Sequence, residues 1–170
     1  MGDSSNDAEA DSLHSAVEDE SDMPHLPLKR VKFKGGKTPL HEAVLAADLP
    51  GLKKILSFPK LSWLNVKAKG GWTALHWATK CPSSEFIRLL LEKGADPTLL
   101  TREHNSVLHS AASSGTVEMV KMIIETRRLD INAQTLKGWT PIHCAVNSQK
   151  VDVLKFLIEC KADIFVATEV

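Results

Sequence analysis

Four histidines, His41, His76, His109 and His143, each follow a hydroxyl residue by three positions: Thr38, Thr73, Ser106 and Thr140. Imidazole is a common zinc ligand, but a structural zinc needs four donors converging on one point. The hydroxyl residues are instead spaced 35, 33 and 34 residues apart. Histidines at so regular a period belong to successive copies of one local unit, so their role is structural and no metal site is expected. The three cysteines, Cys81, Cys144 and Cys160, form no C-x-x-C pair. An odd, dispersed count reads as reduced thiols rather than a disulfide framework, and Cys81 as an ordinary thiol rather than a nucleophile. Acids recur at the same period: Glu85, Arg88 and Glu92 are followed by Glu118, Lys121 and Glu125, then by Asp152, Lys155 and Glu159. A cation three or four residues from each acid marks a solvated helix face, not a general acid and base. The chain holds no Gly-rich phosphate loop, no G-x-S-x-G elbow and no H-E-x-x-H pair. No catalytic residue, cofactor or enzymatic activity is expected.

The elements that must position these residues are written in four related phrases. They are Gly36-Lys37-Thr38-Pro39-Leu40-His41-Glu42-Ala43, Gly71-Trp72-Thr73-Ala74-Leu75-His76-Trp77-Ala78, His104-Asn105-Ser106-Val107-Leu108-His109-Ser110-Ala111 and Gly138-Trp139-Thr140-Pro141-Ile142-His143-Cys144-Ala145. Thr and Ser are good N-caps, and Pro at the next position fits the first helical turn, where its missing N–H costs nothing. Each phrase therefore starts a helix. Leu or Ile followed three residues later by Ala builds an apolar face, and the small Ala lets a neighbouring helix come close.

A period near 33 carrying a T-P-L-H-x-A phrase resembles the ankyrin-repeat family. The resemblance runs from about residue 37 to the C-terminus. It implies an all-α solenoid of four helix-turn-helix repeats with short β-hairpin loops, at about 38–68, 69–100, 101–133 and 134–166. It also implies that each histidine bonds toward neighbouring backbone and ties one repeat to the next. Within repeat one, the first helix is expected from Pro39 to Ala47, with Asp48 capping a second helix whose first turn holds Pro50. Gly94 is expected to close the helix begun at Glu85 in a left-handed conformation. Repeat three has Thr126-Arg127-Arg128 there instead, cations suited to a helix C-terminus. Repeat four keeps the apolar register of an internal repeat through Val151, Val153, Leu154, Phe156, Leu157 and Ile158. Terminal repeats normally turn a polar back to water. The expectation is a piece of a longer array, or a face that something covers.

The 170 residues carry no net charge, but the charge is unevenly spread. Residues 1–28 hold eight acids and no Lys or Arg, and are expected to be a disordered acidic tail. Residues 29–37 form a basic linker with five cations, and 38–170 carry 16 basic and 13 acidic residues. No signal peptide and no apolar run of membrane-spanning length is present, so cytoplasm or nucleus is expected, with no membrane partner. Zero net charge gives no global field for nucleic acid.

In the linker, Arg30-Val31-Lys32-Phe33 resembles the R-V-x-F motif that docks proteins onto the catalytic subunit of type-1 protein phosphatase. Ankyrin arrays preceded by this motif resemble the targeting subunits of myosin phosphatase and the ASPP family. In an extended peptide Val31 and Phe33 point the same way and can fill two pockets while the backbone adds to a sheet edge. Lys29-Arg30-Val31-Lys32 equally fits a K-R-x-K import signal of a nuclear cofactor or inhibitor that acts by occlusion, and a plain basic linker fits too.

The resemblance places partner binding on a concave face and its hairpin tips, and so nominates Lys69, Trp72, Trp77, Arg102, Glu103, Asn105, Leu136, Lys137 and Trp139. Each tryptophan has a scaffold role as its alternative. The cations Lys69, Arg102 and Lys137 lean the face toward an acidic partner.

Overall fold

Thr38, Thr73, Ser106 and Thr140 each start a helix in the computed structural model, which describes residues 34–58, 61–166 and 168. The helices come in pairs. These are α1 (Pro39–Leu45) with α2 (Leu49–Leu56), α3 (Ala74–Ala78) with α4 (Glu85–Glu92), α5 (Val107–Ser114) with α6 (Val117–Glu125), and α7 (Pro141–Asn147) with α8 (Val151–Glu159). In a usual capping box, Glu or Gln at the third helical position reaches back to the N-cap backbone. Here histidine does so: the N–H groups of Thr38, Thr73, Ser106 and Thr140 donate to Nδ1 of His41, His76, His109 and His143 at 3.1, 3.4, 3.2 and 3.2 Å.

Helix ends follow one pattern with varied residues. Gly94 sits at φ +87°, donating to Leu91 O at 2.9 Å while Ala95 N–H donates to Leu90 O at 2.9 Å, as the left-handed closure requires. Ala47, Gln149 and Lys161 occupy the same place at φ 52°, 55° and 65° with the same pair of backbone bonds. Helix α1 thus stops at Leu45, two residues short of the expected Ala47. Ala47 must reverse the chain so that Asp48 can cap α2, where its Oδ1 accepts from Gly51 N–H at 2.9 Å. Arg127 closes α6 in the same conformation, at φ 52°.

First helices pack in one row, α1 on α3 on α5 on α7, and second helices in another, α2 on α4 on α6 on α8. Equivalent positions fill the space between the rows: Leu40, Leu75 and Leu108 on the first helices, and Leu52, Ile87 and Val120 on the second, are all buried. Each such side chain contributes about 1.5–3 kcal/mol relative to exposure. The connections hold no strand among the described residues. Three hairpin tips are each closed by two backbone bonds: Ala68 N–H to Trp72 O, Thr101 N–H to Asn105 O and Thr135 N–H to Trp139 O, at 2.7, 3.0 and 2.9 Å, and Gly71, His104 and Gly138 N–H back to Ala68, Thr101 and Thr135 O, at 2.9, 3.1 and 3.0 Å.

Candidate functional site

Two sets of bonds align the tips side by side. The first runs through the histidines. His41 Nε2 lies 3.2 Å from Trp72 O, His76 Nε2 3.3 Å from Asn105 O and His109 Nε2 2.9 Å from Trp139 O. A carbonyl can only accept, so Nε2 carries the proton and Nδ1 accepts from the cap backbone. Burial is the main cause that lowers the pKa of all three rings, taking His76 from 6.5 to about 4. Both ring nitrogens of these histidines are therefore committed to hydrogen bonds. Among the described residues no group of three or more His, Cys, Asp or Glu could hold a metal ion.

The second set joins the tips directly: Arg102 N–H donates to Gly70 O at 2.9 Å and Leu136 N–H to Glu103 O at 3.1 Å. Gly71 permits the first contact. Its φ is +83°, and an added Cβ would stand 2.8 Å from Arg102 N and 3.0 Å from Thr101 Cα. Position 71 is matched by Gly36 and Gly138, but by His104 in the third tip, which takes φ 59°.

Of the nominated residues, Trp72 and Trp77 meet directly. Their ring centroids are 4.8 Å apart, and Trp72 also stands edge-on to the His76 ring at 5.8 Å. Lys80 completes the cluster with its Nζ 4.7 Å from the Trp72 ring and 5.0 Å from that of Trp77. Such a cation over two indole faces is held by their quadrupoles. Sequence reasoning missed Lys80, although it follows Trp77 by only three residues, in the turn just past the end of α3. Lys69 and Arg102 are exposed on the neighbouring tips.

Glu103, Asn105, Leu136, Lys137 and Trp139 come together elsewhere, lining a groove of about 280 Å³ between the third and fourth tips. Thr135 and Cys144 complete its lining and were not nominated. Cys144 stands five residues after Trp139, as Trp77 stands five after Trp72, so the repeat register was the signal for it. Burial pushes the Cys144 thiol up to about 11, and raises those of Cys81 and Cys160 as well. Raised thiols are poor nucleophiles at neutral pH. Arg30, Val31 and Phe33, with Lys29 and Lys32, lie outside the described residues.

Helix pairs stacked by cap-to-tip bonds, with aromatic and cationic side chains along one edge, define a repeat scaffold for protein contacts. The chain belongs to the ankyrin-repeat family: the family model described as ankyrin repeats (3 copies) matches residues 13–101 and 97–168. It is similar to the nuclear factor NF-kappa-B p100 subunit of Xenopus laevis, 30% identical over 145 residues, covering 81% of this chain and 15% of that protein. It is 28% identical over 134 residues to the human B-cell lymphoma 3 protein, covering 76% and 30% of the two chains. To the probable 26S proteasome regulatory subunit p28 of Saccharomyces cerevisiae it is 28% identical over 139 residues, covering 82% and 61%. The chain thus spans between 15% and 61% of the length of these three relatives. As an ankyrin-repeat chain it is a protein-interaction module. No helix among the described residues is long and apolar enough to cross a membrane.

Proposed function

We propose that the chain is a non-enzymatic adaptor that holds one protein on its tips and first helices while Arg30-Val31-Lys32-Phe33 docks a type-1 protein phosphatase catalytic subunit. The observation that carries the first half is the contacting pair Trp72 and Trp77, with ring planes tilted by 37°, half-buried under Lys80 and joined through the third tip to the Trp139 groove. Large, partly desolvated aromatic side chains are the anchors that dominate protein interfaces. The second half is supported by the alternation of Val31 and Phe33 within a basic stretch, which suits strand addition. Alanine at Val31 and Phe33 is expected to abolish recovery of the phosphatase subunit from lysate, and unchanged recovery overturns the docking role.

Similarity to a nuclear factor subunit supports a second reading, a nuclear cofactor or inhibitor that occludes its partner, with Lys29 to Lys32 as import signal. On that reading, replacing Lys29 and Arg30 leaves the protein in the cytoplasm while Val31→Ala is harmless. The opposite pattern excludes it.

A further inference from the structure

The charges of the described residues are sorted by face. All four of their ion pairs, Lys53 with Glu85, Arg88 with Glu85 and with Glu92, and Arg128 with Asp96, lie on the second helices or the turns that follow them. Lys37, Lys69, Lys80, Arg102 and Lys137, on the tips and in the turn after α3, enter none of these pairs. Two acids share their face. Glu42 is exposed on α1, and Glu103 accepts from Asn105 Nδ2 at 3.4 Å on the third tip. Cations therefore clearly outnumber acids there, whereas residues 38–170 as a whole hold 16 and 13. The excess is concentrated where the tips are bonded together, with Lys69 and Arg102 flanking the Gly70 to Arg102 backbone contact.

We propose that this face takes an extended acidic peptide: its carboxylates pair with Lys69, Lys80 and Arg102, and an apolar side chain further along enters the groove walled by Leu136, Trp139 and Cys144. The proposal rests on the reading of this face as an interaction surface and adds the chemistry of the occupant. Complementary charge selects the sign of the partner and its rate of encounter. The apolar groove supplies an anchor of the kind that carries affinity. Geometry sets the spacing. Neighbouring helices pack about 10 Å apart, so α3 and α7, two steps away from each other, are separated by about 20 Å. An extended strand advances about 3.3 Å per residue, which puts the anchor about six residues from the carboxylate that meets Lys69 and Lys80.

The test titrates the full chain with a synthetic twelve-residue peptide bearing an Asp-Glu pair and a Leu six residues on. Calorimetry and tryptophan emission are followed at low and high salt. Expected is binding that weakens with salt, falls by about tenfold or more in K69E/R102E, and falls by about tenfold when the peptide Leu is replaced by Ala. K53E/K54E makes the same change of net charge on the second-helix face and is expected to bind within about twofold of the parent, as rim charges remote from a site do. Equal weakening by the two double variants overturns the proposal, because bulk charge alone then explains the binding. Preference for a peptide with Lys-Arg in place of Asp-Glu, lost on Trp139→Ala, overturns the acidic occupant while leaving the interaction surface intact. No binding by a peptide of either sign overturns both. The peptide comparisons use the unaltered chain, so they stand even if a variant folds poorly.

Discussion

The Nε2 nitrogen of His109 lies 2.9 Å from the carbonyl oxygen of Trp139, pinning α5 to the turn that starts α7. The same ring accepts at Nδ1 from Ser106 N–H at 3.2 Å, so one neutral side chain caps its own helix and grips the next pair. His143 repeats the inner half of this arrangement with Thr140, at 3.2 Å from the backbone and 2.8 Å from the hydroxyl.

Neutral pins make the fold acid-sensitive. The pKa of His76 is about 4 in the folded chain against 6.5 for the free side chain, chiefly through burial. A depressed histidine contributes its full stability above pH 6.5 and loses it as pH falls toward 4. A shift of that size is worth about 3 kcal/mol, and the lowered rings of His41 and His109 act in the same direction. Thermal unfolding followed by circular dichroism is expected to show the melting temperature level from pH 8 to 7 and falling steadily from 6.5 to 4. A flat profile over that range would exclude the neutral-pin account.

His104 occupies a left-handed position, at φ 59°, that glycine holds in the other tips. Left-handed backbone costs an ordinary residue about 1–2 kcal/mol, part of which glycine returns through its looser unfolded chain. His104→Gly is expected to raise stability by about 0.5–1 kcal/mol in urea unfolding. Gly71→Ala should do the reverse, and by more, since its Cβ would stand 2.8 Å from Arg102 N. Equal and small effects at both sites would contradict the tip geometry.

Asn132 braces one loop against the next. Its Oδ1 accepts from Asp163 N–H at 2.8 Å, as Asn65 Oδ1 does from Asp96 N–H at 2.8 Å. Asn132→Ala is expected to cost about 1 kcal/mol, whereas Asn132→Asp keeps the acceptor and should cost less. Chemical unfolding of the two variants decides the point, and identical losses would mean that the acceptor is not what matters.

Much of this architecture was legible in the phrases themselves because helix initiation is local chemistry. A hydroxyl cap, a proline in the first turn and an apolar step of three residues need no tertiary partner to be read. The closures were legible only at Gly94. Ala47, Gln149 and Lys161 take the same left-handed turn because two backbone bonds impose it, which no side chain announces. Lys80 over the two indoles and the Asn65 brace depend on which loops become neighbours. For the same reason the nominated face separated into an aromatic cluster and a groove, a division that residue spacing alone does not draw. Arg128 illustrates the limit: read as a helix-terminus cation, it reaches Asp96 of the preceding pair at 3.1 Å.

The last pair presents in the open what earlier pairs seal. Val44, Thr79 and Ala112 are 1%, 0% and 0% exposed, while Val146 at the equivalent place is 55% exposed. A recess of about 550 Å³ lies beside it, bordered by Ile142, His143, Leu154 and Ile164. Val146→Ser is expected to change stability by less than about 0.5 kcal/mol, against a loss of about 2 kcal/mol for Val44→Ser. Parallel denaturant titrations compare them, and a large loss at Val146 would show that the face is covered in solution.

Every imidazole pin points forward along the chain, from a helix already made to a carbonyl about thirty residues later. On a ribosome, then, none of the first three pairs gains its pin until its successor's opening turn has cleared the exit tunnel.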